Sequence, residues 1–117
     1  MNSDELKDRT KNFALAIINL AKDLPKNSIG KIVEHQLIKA GTLVGANYRA
    51  SCRAKSKADF IYKINVVEEE ADETQFWLEL TIEAELLKEN LVNPLLKEAK
   101  ELTAIFTSAG RTAKSKR

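Results

Sequence analysis

The chain has 117 residues, 44% hydrophobic and 31% charged, with a formal net charge of +2, a length and apolar share that fit one domain able to bury a core. Its single cysteine excludes an intrachain disulfide, and no uninterrupted apolar run is long enough to cross a bilayer. The opening MNSDELKDRT is too charged for a secretory signal, so the expectation is a cytoplasmic protein with no membrane partner.

Two prolines and four glycines in a chain rich in Ala, Leu, Glu and Lys point to helices. Leu6, Phe13, Ile17, Leu20 and Leu24 recur at helical spacing and predict a first helix, with Ser3 as N-cap and Asp4 and Glu5 in the first turn. Pro25 closes it, because the residue before a proline is pushed out of the helical region. Asn27 or Ser28 caps a second helix, whose stripe is Ile29, Val33, Leu37, Ala40, Val44 and Asn47 and which runs to about Arg53. Ser56 and Asp59 resemble a capping box. They open a long third helix on Phe60, Ile64, Val67, Ala71, Thr74, Leu78 and Ile82, reaching Leu87 or beyond. Asn93 and Pro94 form a cap and first-turn pair for a fourth helix on Leu95, Ala99, Leu102, Phe106 and Ala109, which Gly110 ends.

No strand-like alternation competes with these patterns, and the connections are short. The predicted fold is therefore all-α, an antiparallel up-down-up-down four-helix bundle. Residues 1–110 form its single domain and residues 111–117 a basic, disordered tail. A helix 4 that stops at Gly110 leaves the first turns of helix 3 without cover. At about 25 cal/mol per Å² of apolar surface, such a face in water forfeits several kcal/mol. Phe60, Ile61, Tyr62 and Ile64 are thus the expected oligomer interface, and a second copy of the chain is the expected partner; the alternative is a kink, or a longer helix 4 that folds its tail along that surface.

Charge is segregated along the chain. Between Tyr48 and Lys63 five basic residues face one acid, whereas Glu68 to Asn90 holds nine acids against one lysine, and the last seven residues add four positive charges. Local potential, more than the sum, selects partners. Arg49 and Arg53 lie four apart on one helix, a like-charge pair that destabilises by roughly 0.2–0.5 kcal/mol unless an anion sits nearby. Lys55, Lys57 and Lys63 extend this patch, and the start of helix 3 offers backbone N–H groups to a phosphate. Asp4, Glu5 and Asp8 begin helix 1 at the same end and are placed to neutralise the arginines. The tail, in turn, is expected to emerge near the acidic run Glu68–Glu73, which it either neutralises or leaves to dock a partner.

Other candidates for chemistry carry less. Cys52 stands among Arg49, Arg53 and Lys55, a setting that lowers a thiol pKa. The only histidine, His35, lies seventeen residues earlier on the same helix, roughly 25 Å away along its axis. That distance removes a Cys/His dyad and leaves a buried or half-buried structural cysteine. His35 has no glutamate three residues before it, so a di-iron pattern is missing. The acidic run lacks the alternating oxygen ligands and glycine of a calcium loop. No metal or other cofactor is expected. Gly41 and Gly45 each cost about 1 kcal/mol relative to alanine inside a helix, which close helix approach offsets. Asn47 continues the apolar stripe and is expected to be buried and hydrogen-bonded.

The stretch QLIKAGTLVGANYRASCRAKSKADFIYKINVVEEEADETQFWLEL, Gln36 to Leu80, resembles the core of the bacterial four-helix-bundle family named for reading frames inside intervening sequences of 23S ribosomal RNA genes. The small-residue segment GANY, the basic turn and the ADET-x-x-WLEL ending carry the likeness. The resemblance implies a homopentamer and kinship with the accessory variability protein of diversity-generating retroelements, a basic pentameric barrel that binds nucleic acid and associates with a reverse transcriptase. It implies no enzymatic activity. The matching positions are Asn47, Arg49, Arg53, Lys57, Glu70 and Glu73, none with a catalytic role, and the acidic helix 3 departs from a dedicated nucleic-acid binder. The leading expectation is a non-enzymatic oligomer that binds RNA or DNA phosphates through Arg49, Arg53, Lys55, Lys57 and Lys63; the alternative is a protein-interaction scaffold without nucleic-acid affinity.

Overall fold

The computed structural model describes residues 1–116. Four α-helices make up the fold: α1 Ser3–Ala21, α2 Ser28–Ser51, α3 Lys57–Glu83 and α4 Glu89–Ser115. Each packs on the next in sequence, α4 also touches α1, and the molecule is a rod of 49 × 20 × 20 Å.

Helix boundaries follow local chemistry that the apolar pattern alone misplaces. The N-cap of α1 is Asn2 rather than Ser3: its side chain accepts the Glu5 N–H at 2.8 Å and the Glu5 carboxylate accepts the Asn2 N–H at 3.4 Å. Only Asn2 has an acid three residues on, as this reciprocal cap requires. Asn27 caps α2 by accepting the Gly30 N–H at 2.9 Å. Ser56 caps α3 by accepting the Asp59 N–H at 3.0 Å.

Helix α3 stops at Glu83, short of Leu87. Glu85 adopts φ 58°, Leu86 N–H donates to Thr81 O at 3.0 Å and Glu85 N–H to Ile82 O at 3.0 Å. These are the paired bonds of a Schellman termination, built here on a glutamate, so no glycine announces it. Helix α4 starts at Glu89, four residues before the expected Asn93 cap, and Pro94 lies inside it. The proline removes one i→i−4 bond near the helix start, where the loss is smallest.

Gly110 does not end α4, which continues to Ser115. The glycine is buried, and a Cβ there would fall 3.4 Å from Asn65 Oδ1 and 3.6 Å from Ile64 Cγ2. It lies within the contact of α4 with α3, where a Cβ would make ordinary van der Waals contacts. At 27 residues each, α3 and α4 match in length, so the expected short helix 4 and the placement of residues 111–115 in a disordered tail are both corrected. Arg117 lies outside the described residues.

The core joins all four helices through Ile17, Leu37, Val44, Ile64, Val67, Leu78, Leu102 and Phe106, with Leu24 and Val92 closing it beyond the ends of α1 and at the start of α4. Tyr48 stacks tilted on Phe106 at a centroid distance of 5.4 Å. The stripe of α2 turns slightly from expectation: Ile29 is exposed and Asn47 half-buried, while Gly30 and Tyr48 are buried. Asn47 donates from Nδ2 to Leu43 O of its own helix at 2.9 Å. Buried Thr10, Ser51, Thr74 and Thr81 likewise each donate to a carbonyl one turn back. That satisfies their hydroxyls without cross-linking the helices.

Candidate nucleic-acid interface

The five basic residues singled out in the sequence occupy one end of the rod but do not converge. Arg49 is in the last turn of α2, Arg53 and Lys55 are in the connection to α3, Lys57 opens α3, and all four are exposed. Among the described residues, neither Arg49 nor Arg53 has a carboxylate within ion-pairing distance. Of the acids at the start of α1, Asp4 is near enough to the end of α2 for its charge to reach Tyr48, whereas Glu5 and Asp8 are engaged elsewhere. Glu5 completes the cap, and Glu5 and Asp8 line the groove toward α4 together with Arg9 and Glu98.

Lys63 is not free. Its Nζ bonds Asp59 Oδ2 at 2.8 Å, and the same carboxylate oxygen accepts the Lys55 N–H at 3.0 Å. Lys63, then the Lys55 amide, hold the Asp59 carboxyl below the usual carboxylate range. This pair fixes the α2–α3 turn and withdraws Lys63 from an external anion.

Lys57 faces another side. With Phe60, Ala109, Thr112, Ala113 and Lys116 it lines a depression between α3 and α4. The end of α4 thus brings Lys116 beside the basic turn, which corrects the expected emergence of the tail near Glu68–Glu73. Within that run Glu68 accepts a hydrogen bond from Thr107 of α4, and burial, then Glu73, raise the Glu70 carboxyl above its ordinary value. Among the described residues no cluster of His, Cys, Asp or Glu is grouped to hold a metal ion.

Arg49 opens instead onto a groove between α1 and α2 of about 210 Å³, where it meets Lys7 and Lys11 of α1. Neither lysine stands out in the sequence, because each is one charge on a mixed helix. The legible signal is their i, i+4 spacing, the same as that of Arg49 and Arg53. Cys52 is exposed rather than buried and forms the C-cap of α2. Tyr48 beside it is pushed up to about 12, chiefly by burial and then by the Cys52 side chain.

The expected interface residues divide. Ile64 is in the core. Phe60 packs against the core beside Ala109 and Ala113 of α4. Ile61 is half-buried, and Tyr62 is 67% exposed. Among the described residues no helix is long and apolar enough to cross a membrane.

Residues 4–108 match the family of 23S rRNA-intervening sequence proteins. The chain belongs to this family. A solved structure of a protein of unknown function from the S23 ribosomal protein family of Bacteroides thetaiotaomicron VPI-5482 is similar throughout. It has 33% sequence identity and a TM-score of 0.86, and the match covers 95% of this chain and 99% of that one. A comparison with curated proteins finds no match. The match to the 23S rRNA-intervening sequence family spans all four helices, more than the Gln36–Leu80 stretch that carried the resemblance.

Proposed function

We propose that this family member is a non-enzymatic, self-associating, antiparallel four-helix bundle that binds RNA or DNA through phosphate contacts at its basic end. The observation that carries the reading is the pair Arg49 and Arg53, exposed and without a carboxylate partner among the described residues. Lys55 stands beside them in the same turn, and Lys57 and Lys116 border the neighbouring depression. Like charges grouped at the end of α2 and in the turn after it are stabilised by a bound anion, and a phosphate backbone supplies several at once. The antiparallel course is supported by contacts such as Gln75 with Thr103 and Glu68 with Thr107, whose numbers run in opposite directions.

Self-association, as the pentamer that the sequence resemblance implies, is supported by large exposed apolar side chains on α2 and α3: Ile29, Ile32, Tyr62 and Phe76. A reverse transcriptase or another protein is the further partner that the resemblance adds. Titration of labelled RNA and DNA at several salt concentrations, with light scattering on the same samples, tests both parts. Affinity that falls steeply with salt and varies little with sequence supports the reading. Absence of binding at low salt refutes it and favours a protein-interaction scaffold. A strict monomer refutes the assembly.

A further inference from the structure

We infer that the α1–α2 groove, and not the α2–α3 turn alone, is the track for the phosphodiester backbone, with Lys7 and Lys11 of α1 acting alongside Arg49. This rests on the nucleic-acid reading above and assigns it a path. The groove is flanked by Lys7, Lys11 and Arg49, and no acidic side chain lines it. Its floor is small: Ala14 comes from α1, Gly45 and Ala46 from α2. Gly45 lies against Thr10, so the two helix backbones run close there and leave the cationic side chains as walls.

Apart from Asp4, the charge around the start of α1 is sorted by flank. Lys7 and Lys11 line the α2 side, whereas Glu5 and Asp8 line the α4 side, where Glu98 is bound by Arg9. Asp4, in the first turn, is the acid of α1 whose charge reaches Tyr48. Lys7 and Lys11 are separated by one helical turn, about 6 Å along the axis. Arg53 follows Arg49 just beyond the end of α2, in the turn to α3. The result is a row of two lysines on α1 facing Arg49 of α2 across a shallow small-residue floor, with Arg53 beyond its end. That shape suits a strand of repeating phosphates better than one compact anion. The strand contacts are electrostatic and carry little sequence information.

The test is the salt dependence of binding, measured by fluorescence anisotropy on the full chain with a labelled single-stranded RNA and a labelled duplex DNA. Each phosphate contact contributes about 0.7 to the slope of log K against log salt for a single strand and about 0.9 for a duplex. The double variant Lys7→Gln, Lys11→Gln is expected to lower the single-strand slope by about 1.4, and Arg49→Gln by about 0.7. Lys63→Gln, which removes a cation already held by Asp59, is expected to leave it unchanged. Ala46→Glu, placing a carboxylate in the floor, weakens binding with no cation removed. Circular dichroism confirms that each variant is folded. A slope unchanged in the Lys7, Lys11 variant but reduced by Arg49→Gln overturns the groove and leaves the nucleic-acid reading standing. A wild-type chain that binds neither RNA nor DNA at low salt overturns both.

Discussion

Replacing Gly41 by alanine tests whether the small residues of α2 serve close approach to α1. A Cβ at position 41 would fall 2.9 Å from both Cγ1 and Cγ2 of Ile17 and 3.1 Å from its Cβ. Ile17 is fully buried, and a β-branched side chain in a helix has one strongly preferred χ1 rotamer, so it cannot swing clear. At Gly45 the corresponding Cβ would meet Thr10 Oγ1 at 3.3 Å and Thr10 O at 3.4 Å, a tight fit that a small shift relieves. Alanine is favoured over glycine in a helix interior by about 1 kcal/mol, whereas overpacking costs about 1–3 kcal/mol. For Gly41→Ala the clash outweighs the propensity gain, for a net loss of about 1 kcal/mol. For Gly45→Ala the two nearly cancel. In a domain of this size 1 kcal/mol moves Tm by about 4 °C. Thermal melts followed by circular dichroism should therefore place Gly41→Ala about 4 °C below wild type, with Gly45→Ala at or slightly above it. If Gly41→Ala melts no lower than wild type, or Gly45→Ala falls further than Gly41→Ala, the packing account of these glycines is wrong.

Phe106→Ala is expected to lose about 3–5 kcal/mol, because the ring is fully buried and stacks on Tyr48; urea unfolding reads the loss. Arg9 donates from Nε and Nη2 to Glu98 at 2.8 and 2.7 Å and from Nη2 to Glu101 at 3.0 Å. Arg9→Ala should cost about 1 kcal/mol, and Arg9→Lys should recover little of it, since an ammonium cannot reproduce the two-pronged geometry; melts at low and high salt check this, the effect shrinking with salt. For Glu70, burial and then Glu73 raise the carboxyl pKa in the folded chain, so its favourable contribution is fully present below the unfolded pKa and lost as pH rises through the folded one. Glu70→Gln is accordingly expected to raise Tm near neutral pH and to make no difference below about pH 4, as a pH series of melts would show.

The periodic apolar residues placed the helices correctly in number and order, because burial of one face fixes the phase over many turns. Boundaries escaped for separate physical reasons. The termination of α3 depends on Glu85 entering the left-handed region, which glycine or asparagine usually advertises. Pro94 read as a first-turn residue, yet α4 gains another turn ahead of it, with no side-chain cap on Lys88. Gly110 has the sequence signature of a stop but lies inside α4 at its contact with α3, and sequence alone does not distinguish a glycine that ends a helix from one within it. That single misreading propagated into a shortened helix and an exposed start of α3. On α2, the phase set by Val33, Leu37 and Val44 extends to either Asn47 or Tyr48, and the aromatic ring takes the core position. Lys7 and Lys11 were invisible as partners of Arg49 because their grouping exists only across two helices.

Correcting α4 moves the support for assembly without removing it. The start of α3 has cover from α4, and the apolar side chains left exposed on α2 and α3 are what favours assembly. Ile29 and Ile32 open α2, seventeen or more residues before Arg49, which places them roughly 25 Å or more from it along the helix. Phe76, in the second half of α3 and edge-on to Trp77 at 5.1 Å, also lies far in sequence from the basic turn; Tyr62 alone is near it. An apolar contact surface centred away from the basic end would join copies without covering Arg49 and Arg53, and in a cyclic assembly would carry those ends on a common side. Each added copy would then add phosphate contacts, steepening the dependence of affinity on salt. In a chain with a net charge of only +2, such binding would rest on local charge rather than on the sum: Glu68–Glu83 of α3 carries acids and no lysine or arginine, whereas Arg49, Arg53, Lys55 and Lys57 stand together around the α2–α3 turn.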